Sequence, residues 1–153
     1  MKKLIVTVAA LFVVACGAGA EKGPGEFKAD FKTNALFFTN MAAAVKGTSP
    51  HGTQQTWYSS NVKDVTTKST FTVPEGTVAI KEYEVAGDGP KDGFAVMIKK
   101  AAGYDAANND WYYEMRGIDG TVATTPAAGK IEMCITCHKK AAASDYLAGT
   151  TIK

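Results

Sequence analysis

Apolar and polar positions alternate through the middle of the chain. Five stretches, 54–60, 66–73, 76–85, 93–101 and 110–116, are rich in Val, Thr, Ile, Tyr and Trp. Each is bounded by turn chemistry such as Pro74-Glu75-Gly76 or Gly87-Asp88-Gly89-Pro90. This pattern predicts at least five mostly antiparallel strands. In the third stretch Thr77, Ala79, Lys81, Tyr83 and Val85 share one face, and Val78, Ile80, Glu82 and Glu84 the other. In the fifth, Trp111, Tyr113 and Met115 share a face opposite Tyr112, Glu114 and Arg116. Ahead of the strands, Phe27, Phe31, Ala35, Phe38, Met41 and Val45 recur at three- and four-residue steps, as on one side of a helix. Gly47 and then Pro50 supply its stop signal. Residues 121–130 read as a loop leading into a short C-terminal helix. The expected class is mainly β (α+β): an antiparallel sheet with an N-terminal amphipathic helix and a short C-terminal helix.

The first residues read as a separate segment. Lys2 and Lys3 precede an apolar run of twelve residues, 4–15. A bilayer span needs about 20 residues, so this run reads as an export signal. Two cleavage sites compete. Val13-Val14-Ala15-Cys16 resembles a lipobox, which makes 1–15 the signal and Cys16 a lipidated first residue. Ala18-Gly19-Ala20 fits an ordinary cleavage site with Glu21 as the new N-terminus. Residues 16–26, rich in Gly, read as a flexible tether, and 27–153 as one domain. Removing Lys2 and Lys3 from the 17 basic residues leaves 15 against 15 acidic ones. The processed chain is near neutral, with no like-charge block that argues for nucleic acid.

The chemistry is concentrated in Cys134-Ile135-Thr136-Cys137-His138. Cys-x-x-Cys-His is the attachment signature of a c-type haem. The two thiols form thioethers to the vinyl groups, and the adjoining imidazole becomes an axial iron ligand. Other uses of such a pair fit less well. A thioredoxin-like dithiol expects a βαβ setting, whereas this motif follows a β meander. A zinc site wants four ligands, and Cys134, Cys137, His138 and His51 lack finger-like spacing. Position narrows the haem reading. Small electron-transfer cytochromes c carry the motif near the N-terminus with a Met ligand after it. Here fifteen residues follow His138, and none is Met or His. The four-helix cytochromes c′ carry a C-terminal motif, but the alternating centre argues against a bundle.

The chain resembles the cytochrome P-460 and cytochrome c′-beta family. The matching stretches run from Pro50 to Tyr146: Pro50-His51-Gly52, PEGTVAIKE at 74–82, Gly93-Phe94 to Lys99, GYDAANNDWYY at 103–113 and CITCHKKAAASDY at 134–146. The resemblance implies a β-rich homodimer with one covalent haem c and a five-coordinate iron facing a distal pocket. It also places Lys81 where P-460 members cross-link a lysine to the macrocycle. The residues lend separate support, because Lys81 sits among largely apolar neighbours. A buried lysine tends to lose its proton and become nucleophilic. The plainer alternative is an edge-strand lysine with a snorkelling head.

Other residues have two readings each. His51, Met97, Met115 and Met41 are candidate sixth ligands, or a loop residue and core. Glu82 and Glu114 are the candidates for the distal acid that hydroxylamine-oxidising members use. Arg116, Lys139 and Lys140 would pair with a propionate, or lie solvated on the surface. Asp105, Asn108, Asn109 and Asp110 lack calcium-loop spacing and read as a turn.

Three functions follow as expectations. The first is an exported monohaem cytochrome that binds NO or related small nitrogen species and exchanges electrons with a redox partner. The second is an enzyme oxidising hydroxylamine or NO, tuned by a Lys81–haem cross-link. The third is an electron carrier with a protein sixth ligand. All belong in the periplasm or cell envelope, with a membrane tether through lipid on Cys16. Intact-mass measurement of the mature protein is expected to find a diacylglyceryl adduct on Cys16. An unmodified N-terminus at Glu21 would overturn the lipoprotein reading.

Overall fold

A computed structural model describes residues 22–47, 50–64, 70–85 and 92–148. The export signal, Cys16 and most of the tether lie outside these residues. The core is a six-stranded antiparallel sheet made of β1 (Phe37–Phe38), β2 (Val45–Lys46), β3 (Thr53–Ser59), β4 (Val78–Glu84), β5 (Gly93–Lys99) and β6 (Trp111–Gly117). The strand order is β1-β3-β4-β5-β6. β1 and β2 share the outer edge of β3, pairing at its two ends. One short helix, α1 (Glu132–His138), follows, and a 3-10 segment at Lys139–Ser144 continues from it.

The sheet is a meander through β3, β4, β5 and β6, so sequential strands are spatial neighbours. Register is continuous: Lys81 pairs with Thr56 on one side and Ala95 on the other, and Met97 pairs with Tyr113. Alternation then divides the apolar residues into two cores. Phe31, Phe37, Trp57, Val78, Ile80, Phe94, Val96 and Ile98 pack on one face. Tyr58, Ala79, Met97, Trp111 and Tyr113 pack on the other, beneath Ile131 and Ile135 of the α1 region and Tyr146 and Leu147 beyond it.

Four of the five expected strands are present within a few residues of their predicted bounds. The fifth, 66–73, is not in the sheet where it is described. Residues 66–69 lie outside the described residues, and 70–73 run alongside the C-terminal turn. There the Phe71 amide donates to the Ala143 carbonyl at 3.0 Å. The Val73 amide donates to the Asp145 carboxylate at 2.9 Å. This backbone meets its hydrogen-bonding need from the turn instead of a strand.

The N-terminal amphipathic helix is not formed. Residues 27–36 make turns, and Phe37–Phe38 and Val45–Lys46 are strands. The three- and four-residue spacing of Phe27 and Phe31 is satisfied by one turn, which carries both rings onto the first core. Beyond it, Asn34 stops any continuation. Its side-chain amide bonds the Asp30 carboxylate, and its Oδ1 accepts from the Leu36 amide at 2.9 Å. Phe37 and Phe38 then enter opposite cores, as neighbouring strand residues do. Met41 lies at the β3 edge, its sulfur accepting from the Thr56 amide at 3.3 Å. Ala35 and Val45 are exposed.

Ile80 is fully buried in the first core, whereas Val85, the residue just past the end of β4, is 61% exposed. Ile80→Ala is expected to cost about 2–5 kcal/mol in urea unfolding followed by tryptophan fluorescence. Val85→Ala is expected to stay within about 0.5 kcal/mol. Equal costs at the two positions would contradict the division of the sheet into a buried and an exposed part.

Candidate functional site

α1 is placed by its own periodicity. Ile131 and Ile135, one turn apart, are buried against Trp111 and Tyr113. The same spacing puts Cys134 and His138 together on the adjoining side. Loop 121–130 fixes the approach to the helix. Gly129 and Tyr113 exchange both backbone hydrogen bonds, at 2.8 and 2.9 Å. Both thiols are free, with Cys134 half-buried and Cys137 exposed. Burial raises the Cys134 thiol above its ordinary range.

Between α1 and the sheet lies a cavity of about 220 Å3. Its wall includes Met97, Tyr113, Met115, Cys134, Cys137 and His138, with His51 and Tyr83 at one end. It continues past His138 into a pocket of about 30 Å3 lined by Thr56, Tyr58, Ala79, Lys81 and Leu147. The structure therefore gathers Cys134, Cys137, His138, His51 and Lys81 around one apolar space.

His138 is oriented from behind. Its Nδ1 lies 2.7 Å from the Tyr146 carbonyl oxygen, so Nδ1 carries the proton and donates. This leaves Nε2 as the nitrogen available to a ligand. The ring also rests against Tyr113, with centroids 5.8 Å apart. Burial, with Lys81 nearby, lowers the His138 pKa against the opposing effect of the Tyr146 bond. Burial thus favours the neutral imidazole.

Lys81 sits mid-strand on the cavity face, as the alternation of β4 predicted. Burial lowers the pKa of its ammonium, partly offset by Cys137. His51 reaches the same space from the loop before β3. The turn at Gly52 (φ 58) runs against the end of β4, where a Cβ would meet the Glu84 carbonyl oxygen at 2.4 Å. That close approach holds the His51 ring against Tyr83, with centroids 5.5 Å apart. Burial first, then Lys81 and His138, push the His51 pKa down to about 4.

The candidate acids are not brought to this cavity by their side chains. β4 turns Glu82 to the opposite face, where its carboxylate accepts from Lys32 at 2.7 Å. Glu114 is spent on Arg116, whose guanidinium also donates to the Gly120 carbonyl at 2.6 Å and lies over Phe27. Arg116 is thereby removed from any role beside the motif. Lys139 and Lys140 are exposed just after α1. Met97 and Met115 line the cavity, whereas Met41 does not. The acidic loop is a turn. Asp110 Oδ1 accepts from the Asp105 amide at 2.7 Å, and Asp105 accepts from the Asn108 side chain at 2.9 Å. Among the described residues no group of three or more His, Cys, Asp or Glu gathers as a metal cluster.

Two contributors escaped the sequence reading. The Tyr113 hydroxyl is buried and has no partner within the protein, although such groups are nearly always satisfied. The Tyr146 carbonyl is main chain and leaves no residue-type signal. Comparison with protein-family models and with curated proteins finds no match for this chain.

The His51 shift has a definite sign. The unfolded chain binds its proton near pH 6.5, and the folded chain only near 4. The resulting stabilisation is full above pH 6.5 and is lost as the pH falls towards 4. It amounts to about 3 kcal/mol at most. Thermal unfolding is expected to lose more stability between pH 7 and pH 4.5 in the wild type than in His51→Gln. Parallel profiles would remove His51 from the buried set.

Proposed function

We propose that the chain is a monohaem c-type cytochrome of the P-460/c′-beta type, exported to the cell envelope and anchored there through Cys16. Cys134 and Cys137 hold the haem covalently, and His138 Nε2 is its axial ligand. The observation that carries this reading is the bond from His138 Nδ1 to the Tyr146 carbonyl, with both thiols on the same apolar cavity. A donated Nδ1 proton fixes the tautomer, orients the ring and raises its basicity as a ligand.

The residues fit such a group in three further ways. The walls are apolar, as a porphyrin face requires. The Tyr113 ring lines the cavity and rests against the His138 imidazole, bracing the ligand from one side. The exposure of Cys137 and Met133 beside it leaves one side open to solvent, so an anchored group extends outward. A haem held here supplies reversible electron transfer and an iron site for diatomic or small nitrogenous ligands.

Binding of NO or a related nitrogen species at an open iron position is the reading we favour. The side chains on the cavity give its chemistry. They are mostly apolar, and burial keeps His51, Lys81 and His138 towards their neutral forms. Such a space suits a small uncharged ligand. The placement of Lys81 favours a second reading, in which Lys81 would be the residue joined to the macrocycle and the protein would oxidise hydroxylamine or NO. Neither candidate for the distal acid of that chemistry supports it, because the Glu82 and Glu114 carboxylates are paired with Lys32 and Arg116. A homodimer and a separate redox partner complete the proposal.

Expression with a c-type maturation system is expected to give a coloured protein whose haem survives denaturation. The double variant Cys134→Ala/Cys137→Ala should yield none. A high-spin spectrum that shifts on adding NO supports the open site. A low-spin spectrum indifferent to NO would replace it with an internal ligand, for which His51, Met97 and Met115 line the space. Mass spectrometry of the haem peptide tests the enzyme reading. A Lys81 peptide joined to it is required, together with hydroxylamine turnover. Colourless protein with both thiols titratable after competent maturation would end the haem reading.

A further inference from the structure

The turn beyond α1 contains a buried carboxylate outside the cavity. Asp145 has a side chain only 1% exposed, yet it accepts four hydrogen bonds from three separate segments. Lys99 Nζ, from β5, donates to its two oxygens at 2.8 and 2.9 Å. The Val73 amide donates at 2.9 Å, and Asn109 Nδ2 at 3.0 Å. Its main-chain carbonyl accepts from Trp111 Nε1 at 2.9 Å. Lys99 lies over the Trp111 ring at 5.3 Å, which closes the cluster.

This cluster holds an unfavourable backbone. Asp145 (φ 49) and Tyr146 (φ 67) are consecutive left-handed residues, and neither is glycine. Asp tolerates that region, but a bulky Tyr occupies it only when its surroundings insist. The reversal carries the Tyr146 carbonyl back to His138 Nδ1. Local bonds close the turn itself, the Tyr146 amide donating to the Ala141 carbonyl at 2.9 Å and the Asp145 amide to the Ala142 carbonyl at 3.1 Å, but the Asp145 carboxylate is what ties it to β5 and to Val73.

We propose that Asp145 is a positioning residue for His138. Its carboxylate locks the left-handed turn, the turn aims the Tyr146 carbonyl, and the carbonyl sets the tautomer and angle of the imidazole. Asp145 touches neither the cavity nor the ligating nitrogen and acts only through this relay. The role rests on the haem reading for its functional meaning, but the relay is a property of the polypeptide.

The test is nitrogen-15 NMR of histidine-labelled full-length protein, in the ferrous carbon monoxide form where haem is present. In the wild type, the His138 Nδ1 proton is expected as a protected signal. Asp145→Asn is expected to speed its exchange about tenfold, equivalent to roughly one lost hydrogen bond. Asp145→Asn strands Lys99, so Asn109→Gly provides a second variant. It removes one donor to the carboxylate, retains a residue suited to the left-handed position 109, and should accelerate exchange in the same direction. If Asp145→Asn loses its near-ultraviolet circular dichroism, Asn109→Gly decides. An unchanged Nδ1 signal in the folded variants overturns the role of Asp145 even where haem is bound. Protein without haem but with an Asp145-dependent signal retains the relay and sinks the haem reading instead.

Discussion

The two-residue repeat of β4, β5 and β6 is the constraint on which everything else in the molecule depends. Each strand sends alternate side chains to opposite sides, and the continuous antiparallel register keeps the three strands in phase. Ile80, Val96 and Glu114 therefore share one face, while Lys81, Ala95 and Met115 share the other. A one-residue slip would exchange an aromatic core for a cavity. Glycines and turn residues at the strand ends hold that phase, and the Gly52 turn adds His51 to the cavity side.

The same alternation separates the protein's charges. The buried carboxylates of Glu82 and Glu114 fall on the far face and find cationic partners there. The cavity face keeps Lys81, His51, His138 and the tyrosines Tyr58 and Tyr113. Their shifts have a common leading cause, the removal of water: the amine and imidazoles move down, and both phenols move up. The cavity is thus a region where these five groups are pushed towards their uncharged states. This agrees with the proposal of a small neutral ligand better than with one requiring a charged general base.

Much of this was legible in the residues. Strand alternation put Lys81 on an apolar face, and residues 121–130 read as a loop leading into the short helix that carries the motif; that Ile131 and Ile135 seat this helix on the sheet emerged only from the fold. Periodicity misled at Phe27 and Phe31, because one turn and an amphipathic helix share that spacing. What distinguishes them is the unpaired edge of β3, which takes up Phe37–Phe38 and Val45–Lys46 and is invisible before the sheet exists. The 66–73 stretch failed for a related reason, since a β-prone composition does not say which backbone it will bond. Asp145 gave little warning at all. A single acid after a run of alanines reads as surface, and only the fold brings Lys99, Asn109 and Val73 around it.

The fastening of the C-terminal turn has a temporal consequence. The Asp145 bonds to Val73 and Lys99 bridge 72 and 46 residues of chain. Contacts of such span raise the mean sequence separation of the fold, and they become short-range once the strands between them have paired. The meander, by contrast, is built from neighbours. The sheet can therefore assemble while residues 132–148 remain a loose tail with both thiols open to solvent. Closure of the last turn converts an accessible peptide into a fixed wall.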